Sequence, residues 1–111
     1  MTKELGKIEK VKFGHCGYQD ACLGISFVLS GKGWGLGDSK STWDAELIKH
    51  TESSQWTEED RNKQYSEIMR YVSKLLKDAK VDSINQLEGK PIEVTLDGML
   101  LKEWRILSEV L

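Results

Sequence analysis

Alternating apolar and polar positions predict several strands along this chain. Within Ala21–Ser30, the large apolar side chains of Leu23, Ile25, Phe27 and Leu29 alternate with Gly24, Ser26, Val28 and Ser30. Because successive residues of a β-strand point to opposite faces, this pattern indicates a half-buried antiparallel strand. A similar alternation predicts strands over Lys7–Phe13 and from Lys90 to Leu96. The pair Asp97-Gly98 is a strong hairpin-turn signal and predicts a return strand from Met99 to about Leu107.

The clearest helical pattern lies between Thr57 and Ala79. Its apolar side chains recur with a period of 3.6 residues and form one stripe: Tyr65, Ile68, Met69, Val72, Leu75, Leu76 and Ala79. Thr57 is a favourable N-cap, and the acidic run Glu58–Asp60 complements the positive end of the helix dipole. We therefore predict one helix of roughly six turns.

A third strand is predicted near Trp34–Asp38, in a segment with glycine at every second position from Gly31 to Gly37. One face of such a strand carries only hydrogens, which lets a backbone, a ring or a ligand approach closely. The alternative is that the bare face accommodates Trp34 or Trp43 of the chain itself. The glycine spacing matches neither the dinucleotide fingerprint nor the phosphate-binding loop.

The resulting order β-β-β-α-β-β predicts a single α+β domain over residues 1–111. We expect an antiparallel sheet of about five strands with the long helix packed on one face. The segment between Ser39 and Gln55 is polar and weakly patterned: Trp43–Ile48 could form a short helical turn, and His50–Ser54 is expected to be a loop.

Composition narrows the function classes. The net charge of −2 and the pI near 5.7 give no electrostatic footprint for duplex nucleic acid. No apolar run approaches the roughly 20 residues of a membrane span, and the N-terminus lacks a signal-peptide apolar region. We therefore expect a cytoplasmic protein without a membrane or duplex nucleic acid as partner, whose cysteines are reduced.

Few residues are available for metal or catalytic chemistry: His15, His50, Cys16, Cys22, Asp20 and Asp44. The spacing of the two cysteines lacks the tight Cys-x2-4-Cys pair usual for zinc. A thiol, a histidine and a carboxylate could form a nucleophile–base–orienter set, but no family-type signature surrounds either cysteine. We expect two small buried thiols, no metal, no cofactor and no catalytic residue.

Aromatic residues flank the glycine-rich segment and suggest a binding surface. Trp34 and Trp43, together with Tyr18, could form a platform for a base, a sugar or a peptide. The alternative is a small core beneath the loops, and Trp104 and Trp56 are expected to pack internally. The candidate binding residues are Tyr18, Trp34, Gly35, Asp38 and Trp43.

Three stretches of the chain resemble those of small proteins encoded by bacteriophages and prophages: Gly17-Tyr18-Gln19-Asp20-Ala21, Gly33-Trp34-Gly35-Leu36-Gly37-Asp38 and Gly89-Lys90-Pro91-Ile92-Glu93-Val94. No activity is assigned to those proteins, so no residue takes a role from the resemblance. The resemblance implies a phage context, in which small acidic proteins often act by binding.

These observations favour a non-enzymatic binding protein that acts on a host or phage protein in the host cytoplasm. The first alternative is binding or sequestration of a small nucleotide-like ligand in an aromatic pocket. The second is weak binding of single-stranded nucleic acid, for which Lys32, Lys40 and Lys49 are available. The sequence is also compatible with a homo-oligomer.

Overall fold

A computed structural model describes residues 1–44 and 57–111 of the chain. It contains five strands and one long helix: β1 (Thr2–Cys16), β2 (Cys22–Gly31), β3 (Trp34–Trp43), α1 (Glu58–Ala79), β4 (Pro91–Asp97) and β5 (Leu100–Ile106). Short 3-10 turns occupy Tyr18–Asp20, Ile84–Leu87 and Ser108–Val110. The predicted α+β fold and its element order are confirmed.

The sheet has the order β3-β2-β1-β4-β5, and all neighbouring strands are antiparallel. The long strand β1 joins its two halves, because Thr2–Lys7 pairs with β4 while Gly6–Cys16 pairs with β2. The sheet is curled, so that its two edge strands approach each other. At this approach the indole Nε1 of Trp104 on β5 donates a hydrogen bond to Asp38 Oδ2 on β3, at 2.6 Å.

The core lies between the helix and the inner face of the curled sheet. Helix α1 buries one stripe, whose members are Ile68, Val72, Leu75 and Ala79. The sheet contributes the largest fully buried side chains, among them Ile8, Ile25, Leu29, Ile92 and Val94. The predicted helical stripe is therefore confirmed at its centre, although the side chain of Met69 remains 59% exposed.

The ends of α1 follow from local chemistry. The Thr57 hydroxyl accepts a hydrogen bond from the Asp60 amide at 3.1 Å, and the Asp60 carboxylate accepts one from the Thr57 amide at 2.9 Å. This reciprocal capping box satisfies amides that the first helical turn would otherwise leave unpaired. At the other end Lys80 adopts a left-handed conformation with φ of 57° and stops the helix. No helix in the described ranges is both long and apolar enough to span a membrane.

Two strands are longer than the sequence pattern indicates. β1 begins at Thr2 rather than Lys7, because its polar N-terminal residues pair with β4. β3 continues through Ser39 to Trp43, a stretch in which the sequence predicts no strand. Trp43 pairs with Cys22 on β2, so the predicted helical turn does not begin at Trp43, and its residues 45–48 lie outside the described ranges. Alternation of apolar residues cannot reveal these extensions, because they are largely polar and are held by backbone pairing. The predictions for His50 and Trp56 lie outside the described residues.

Candidate functional site

The glycine-rich strand presents two glycines on the outer face of the sheet. Gly35 and Gly37 stand opposite Ser30 and Val28 of β2, on the face that α1 does not cover. Gly31 instead ends β2 and stands opposite Trp34, whose side chain lies on the inner face. The prediction of one bare face formed by all four glycines is therefore wrong, because the hairpin turn interrupts the alternation.

No described side chain covers the bare face of β3. A Cβ added at Gly35 would meet only the Leu29 carbonyl oxygen, at 3.8 Å, and one added at Gly37 only that of Phe27, at 3.9 Å. These are ordinary van der Waals distances, so both positions have room for a side chain. Within residues 1–44 and 57–111, neither Trp34 nor Trp43 packs on these glycines. That alternative is therefore wrong at Gly35 and Gly37, whereas Trp34 does pack on Gly31.

The indole of Trp34 lies instead on the inner face, across Gly31 and Gly6. A Cβ at Gly6 would come within 2.7 Å of the indole Cζ2, and one at Gly31 would overlap the ring. Here the missing side chains are explained by internal packing, because the ring occupies their place. The indole Nε1 of Trp34 is buried without a hydrogen-bond partner among the described residues.

A cleft of about 340 Å³ separates the tips of the two hairpins at this end of the sheet. It is lined by Gly33, Trp34, Gly35 and Leu36 from one hairpin and by Leu96, Gly98 and Met99 from the other. Met99 is 93% exposed at its rim. Two of the predicted site residues, Trp34 and Gly35, thus lie together in an open and mainly apolar cleft.

Asp38 lies on the inner face rather than on an open surface. Its carboxylate accepts the hydrogen bond from Trp104, and the Trp104 ring packs edge-to-face on Phe27 with 4.9 Å between centroids. A charged acceptor makes this a strong hydrogen bond. Asp38 therefore connects the two edge strands across the curl, and Trp104, predicted in the core, packs against it.

Tyr18 and Trp43 lie at the opposite end of β3 from Trp34. Trp43 lies nine positions after Trp34 along β3, a distance of about 30 Å at the usual rise per residue. Tyr18 is 85% exposed in the turn between β1 and β2. The five predicted site residues therefore do not share one surface, and an aromatic platform joining Trp34 to Tyr18 is not formed.

A polar cluster of His15, Asp44 and Tyr65 lies beside the N-terminal half of α1. Asp44 Oδ2 is 3.2 Å from His15 Nε2, and the Tyr65 hydroxyl donates a hydrogen bond to Asp44 Oδ1. The bond from Tyr65 is the main cause that lowers the pKa of Asp44, and the same contact raises the pKa of Tyr65. A pocket of about 270 Å³ adjoins the cluster, with apolar lining from Phe13, Leu23, Ile68 and Met69.

The cluster brings together part of the catalytic set that the sequence made available. His15 and Asp44 are in contact, but Cys16 follows His15 directly in β1, and its side chain therefore points to the other face of the sheet. In the described ranges, no three His, Cys, Asp or Glu side chains are grouped as a metal site requires. The sequence predicts Tyr65 only as a member of the apolar stripe, because no local pattern links it to Asp44, 21 positions away.

Comparison with known proteins provides no family for this chain. No family model, no curated protein and no solved structure matches it. We therefore infer its function from the geometry of the chain itself.

Tyr71 on α1 gives the fold a defined response to alkaline pH. Its ring lies 5.2 Å from the Lys40 ammonium, and burial, aided by the charge of Asp38, raises its pKa to about 12. An unfolded chain releases this proton near pH 10, whereas the folded chain keeps it. The stabilisation is therefore complete below pH 10 and is lost as the pH rises towards 12.

We expect the urea midpoint of the wild type to fall more steeply between pH 10 and 12 than that of Tyr71→Phe. Both proteins share every other titrating group, so the difference in slope isolates this phenol. Equal slopes for the two proteins would contradict the burial of Tyr71.

Proposed function

We propose that this protein is a non-enzymatic binding protein whose glycine-rich half-strand, Trp34–Asp38, binds an extended segment of a host or phage protein. The observation that carries the proposal is the open outer face at Gly35 and Gly37. Glycine within a strand destabilises it by about 0.5–1 kcal/mol relative to alanine. Since no described atom excludes a side chain at either position, internal packing does not account for this loss.

The position of β3 in the sheet supports an extended partner. Among residues 1–44 and 57–111, β3 is an edge strand that pairs only with β2, so its other edge has backbone groups with which an added strand could pair. A glycine face lets side chains of the added segment, or a second backbone, lie close to the sheet. The choice of a phage or host protein rests on the resemblance of Gly33–Asp38 and two further stretches to phage-encoded proteins.

The neighbouring cleft supplies what an added strand alone lacks, namely a place for a side chain. Leu36, Leu96 and Met99 offer apolar contact there. We therefore expect the partner segment to carry an apolar residue that enters the cleft.

Gly35→Val tests the proposal. The valine adds a branched side chain to the bare face and has a higher strand propensity than glycine, so the melting temperature should stay constant or rise slightly. Binding of the partner should fall at least about tenfold, since 1.4 kcal/mol of lost contact corresponds to that factor. The partner is first identified by affinity capture with the wild type and mass spectrometry, and its affinity for each purified variant is then measured.

Gly14→Val is the matched control, because Gly14 lies on the same outer face in β1 and has room for a side chain. A Cβ there would meet only Lys12 Cε, at 3.7 Å. This variant should keep both the melting temperature and the partner. If Gly35→Val retained the partner with wild-type affinity, β3 would have no part in binding.

A nucleotide-like ligand in the cleft is the second candidate, favoured by the cleft volume of about 340 Å³ and the indole at its wall. Gly37→Val separates the two candidates, because Gly37 belongs to the bare face but does not line the cleft. Loss of binding in both Gly35→Val and Gly37→Val indicates a strand-like partner. Loss in Gly35→Val alone indicates a ligand held in the cleft.

A further inference from the structure

The two cysteines of the chain face each other across neighbouring strands. Cys16, the last residue of β1, is the direct partner of Cys22, the first residue of β2, and both are free thiols with partial solvent exposure. Directly opposite residues of an antiparallel pair have Cα atoms about 4.5 or 5.5 Å apart. Both values lie within the range of roughly 4.4–6.8 Å that a disulfide spans.

The turn between these cysteines has a strained backbone. Gly17, Gln19 and Asp20 have φ values of 77°, 55° and 54°, and the side chain of Gln19 disfavours this conformation. Only two backbone hydrogen bonds within the turn are formed, from Asp20 to Gly17 at 3.3 Å and from Ala21 to Tyr18 at 3.2 Å. These two hydrogen bonds hold the turn only weakly. A covalent bond between Cys16 and Cys22 would therefore restrain its backbone further.

The glycine at the start of the turn makes room for one of the thiols. A Cβ at Gly17 would lie 3.2 Å from Cys22 Sγ, which is tighter than nearly all real contacts. The Cys22 sulfur therefore lies beside the residue that directly follows Cys16. The Cys22 sulfur is thus close to the end of β1, where Cys16 lies.

We propose that Cys16 and Cys22 are a modification site at which a peroxide-class oxidant forms a reversible intramolecular disulfide. One thiolate attacks a peroxide oxygen, the O–O bond breaks, and a sulfenic acid and hydroxide result. The second thiolate attacks the sulfenic sulfur, the S–S bond forms, and the hydroxide of the sulfenic acid leaves. In total two thiols and one hydrogen peroxide give one disulfide and two waters, with two electrons passing from sulfur to oxygen.

The disulfide would fix the end of the sheet that carries Tyr18 and Trp43. Tyr18 lies inside the closed loop, and Trp43 is the direct partner of Cys22 on β3. The Asp44 amide also donates to the Ala21 carbonyl at 2.8 Å, which connects this end to the loop. The cleft beside Trp34 lies at the other end of β3, so the modification is independent of the partner site proposed above.

The test treats the reduced full-length protein with hydrogen peroxide at near-equimolar amounts. We expect a loss of two mass units, no thiol left for alkylation, and a monomer on a non-reducing gel. The melting temperature should rise by roughly 5–10 °C over that of the reduced protein and return on addition of dithiothreitol. Retention of both thiols, disulfide-linked dimers alone, or a disulfide without a rise in melting temperature would each overturn the proposal.

Cys16→Ser and Cys22→Ser serve as controls, because each retains one thiol and cannot form the internal bond. Their melting temperatures should stay constant under the same oxidant, and neither should lose two mass units. A comparable rise in either variant would show that oxidation elsewhere, and not the cross-strand disulfide, stabilises the protein.

Discussion

Leu75→Ala is expected to lower the free energy of unfolding by about 2–5 kcal/mol. The side chain lies in the middle of the α1 stripe, is only 7% exposed, and belongs to the core formed with the inner face of the sheet. Removing it deletes apolar contacts and leaves a cavity that the two rigid layers can fill only in part. Urea denaturation at neutral pH, followed by far-UV circular dichroism, measures the loss.

Met69→Ala on the same helix is the matched control. Its side chain is 59% exposed, so the same kind of truncation removes little buried surface, and we expect a change below about 0.5 kcal/mol. A change that small for Leu75→Ala would mean that α1 does not close the core, against the burial described here.

Local periodicity was sufficient to predict the elements that bury one regular face. The alternation in β2 and the stripe of α1 each depend on residues within one segment, and the capping chemistry at Thr57 is equally local. The structure confirms these predictions because packing against the other layer favours the same faces.

The curl of the sheet could not be predicted in this way. It is held by contacts such as that between Asp38 and Trp104, which are 66 residues apart in the chain. Asp38 was therefore predicted as an exposed binding residue, although its carboxylate joins two edge strands. The cleft between the hairpin tips has the same origin, since Trp34 and Met99 belong to different hairpins and line one cleft only when the sheet bends.

The glycine pattern shows how a local rule can mislead at a turn. The alternation of glycines is real, but the turn at Lys32–Gly33 separates Gly31 from Gly35 and places them on opposite faces. Close packing is found instead at isolated glycines elsewhere in the sheet. Gly6 lies under the Trp34 ring, and Gly24 lies against the backbone of β3. Where Gly35 has free space, these two positions have none.

Gly24→Ala is expected to destabilise the protein by about 3 kcal/mol, towards the upper end of what overpacking produces. Gly24 is buried in β2, and a Cβ there would overlap the Lys40 carbonyl oxygen and the Ser41 Cα. Both atoms belong to the backbone of β3, so a side-chain rotation cannot relieve the contact. The strand itself must shift, which weakens its pairing with β2.

Gly14→Ala provides the comparison, because Gly14 is the direct cross-strand partner of Gly24 and lies on the same face. A Cβ at Gly14 would meet only the flexible end of Lys12, at 3.7 Å. Alanine there restricts the unfolded chain without straining the fold, so the free energy of unfolding should stay constant or rise by up to about 1 kcal/mol. Thermal and urea denaturation of the two variants measure the contrast. Equal effects at both positions would mean that β3 does not approach β2 closely at Gly24, and would remove the packing explanation for that glycine.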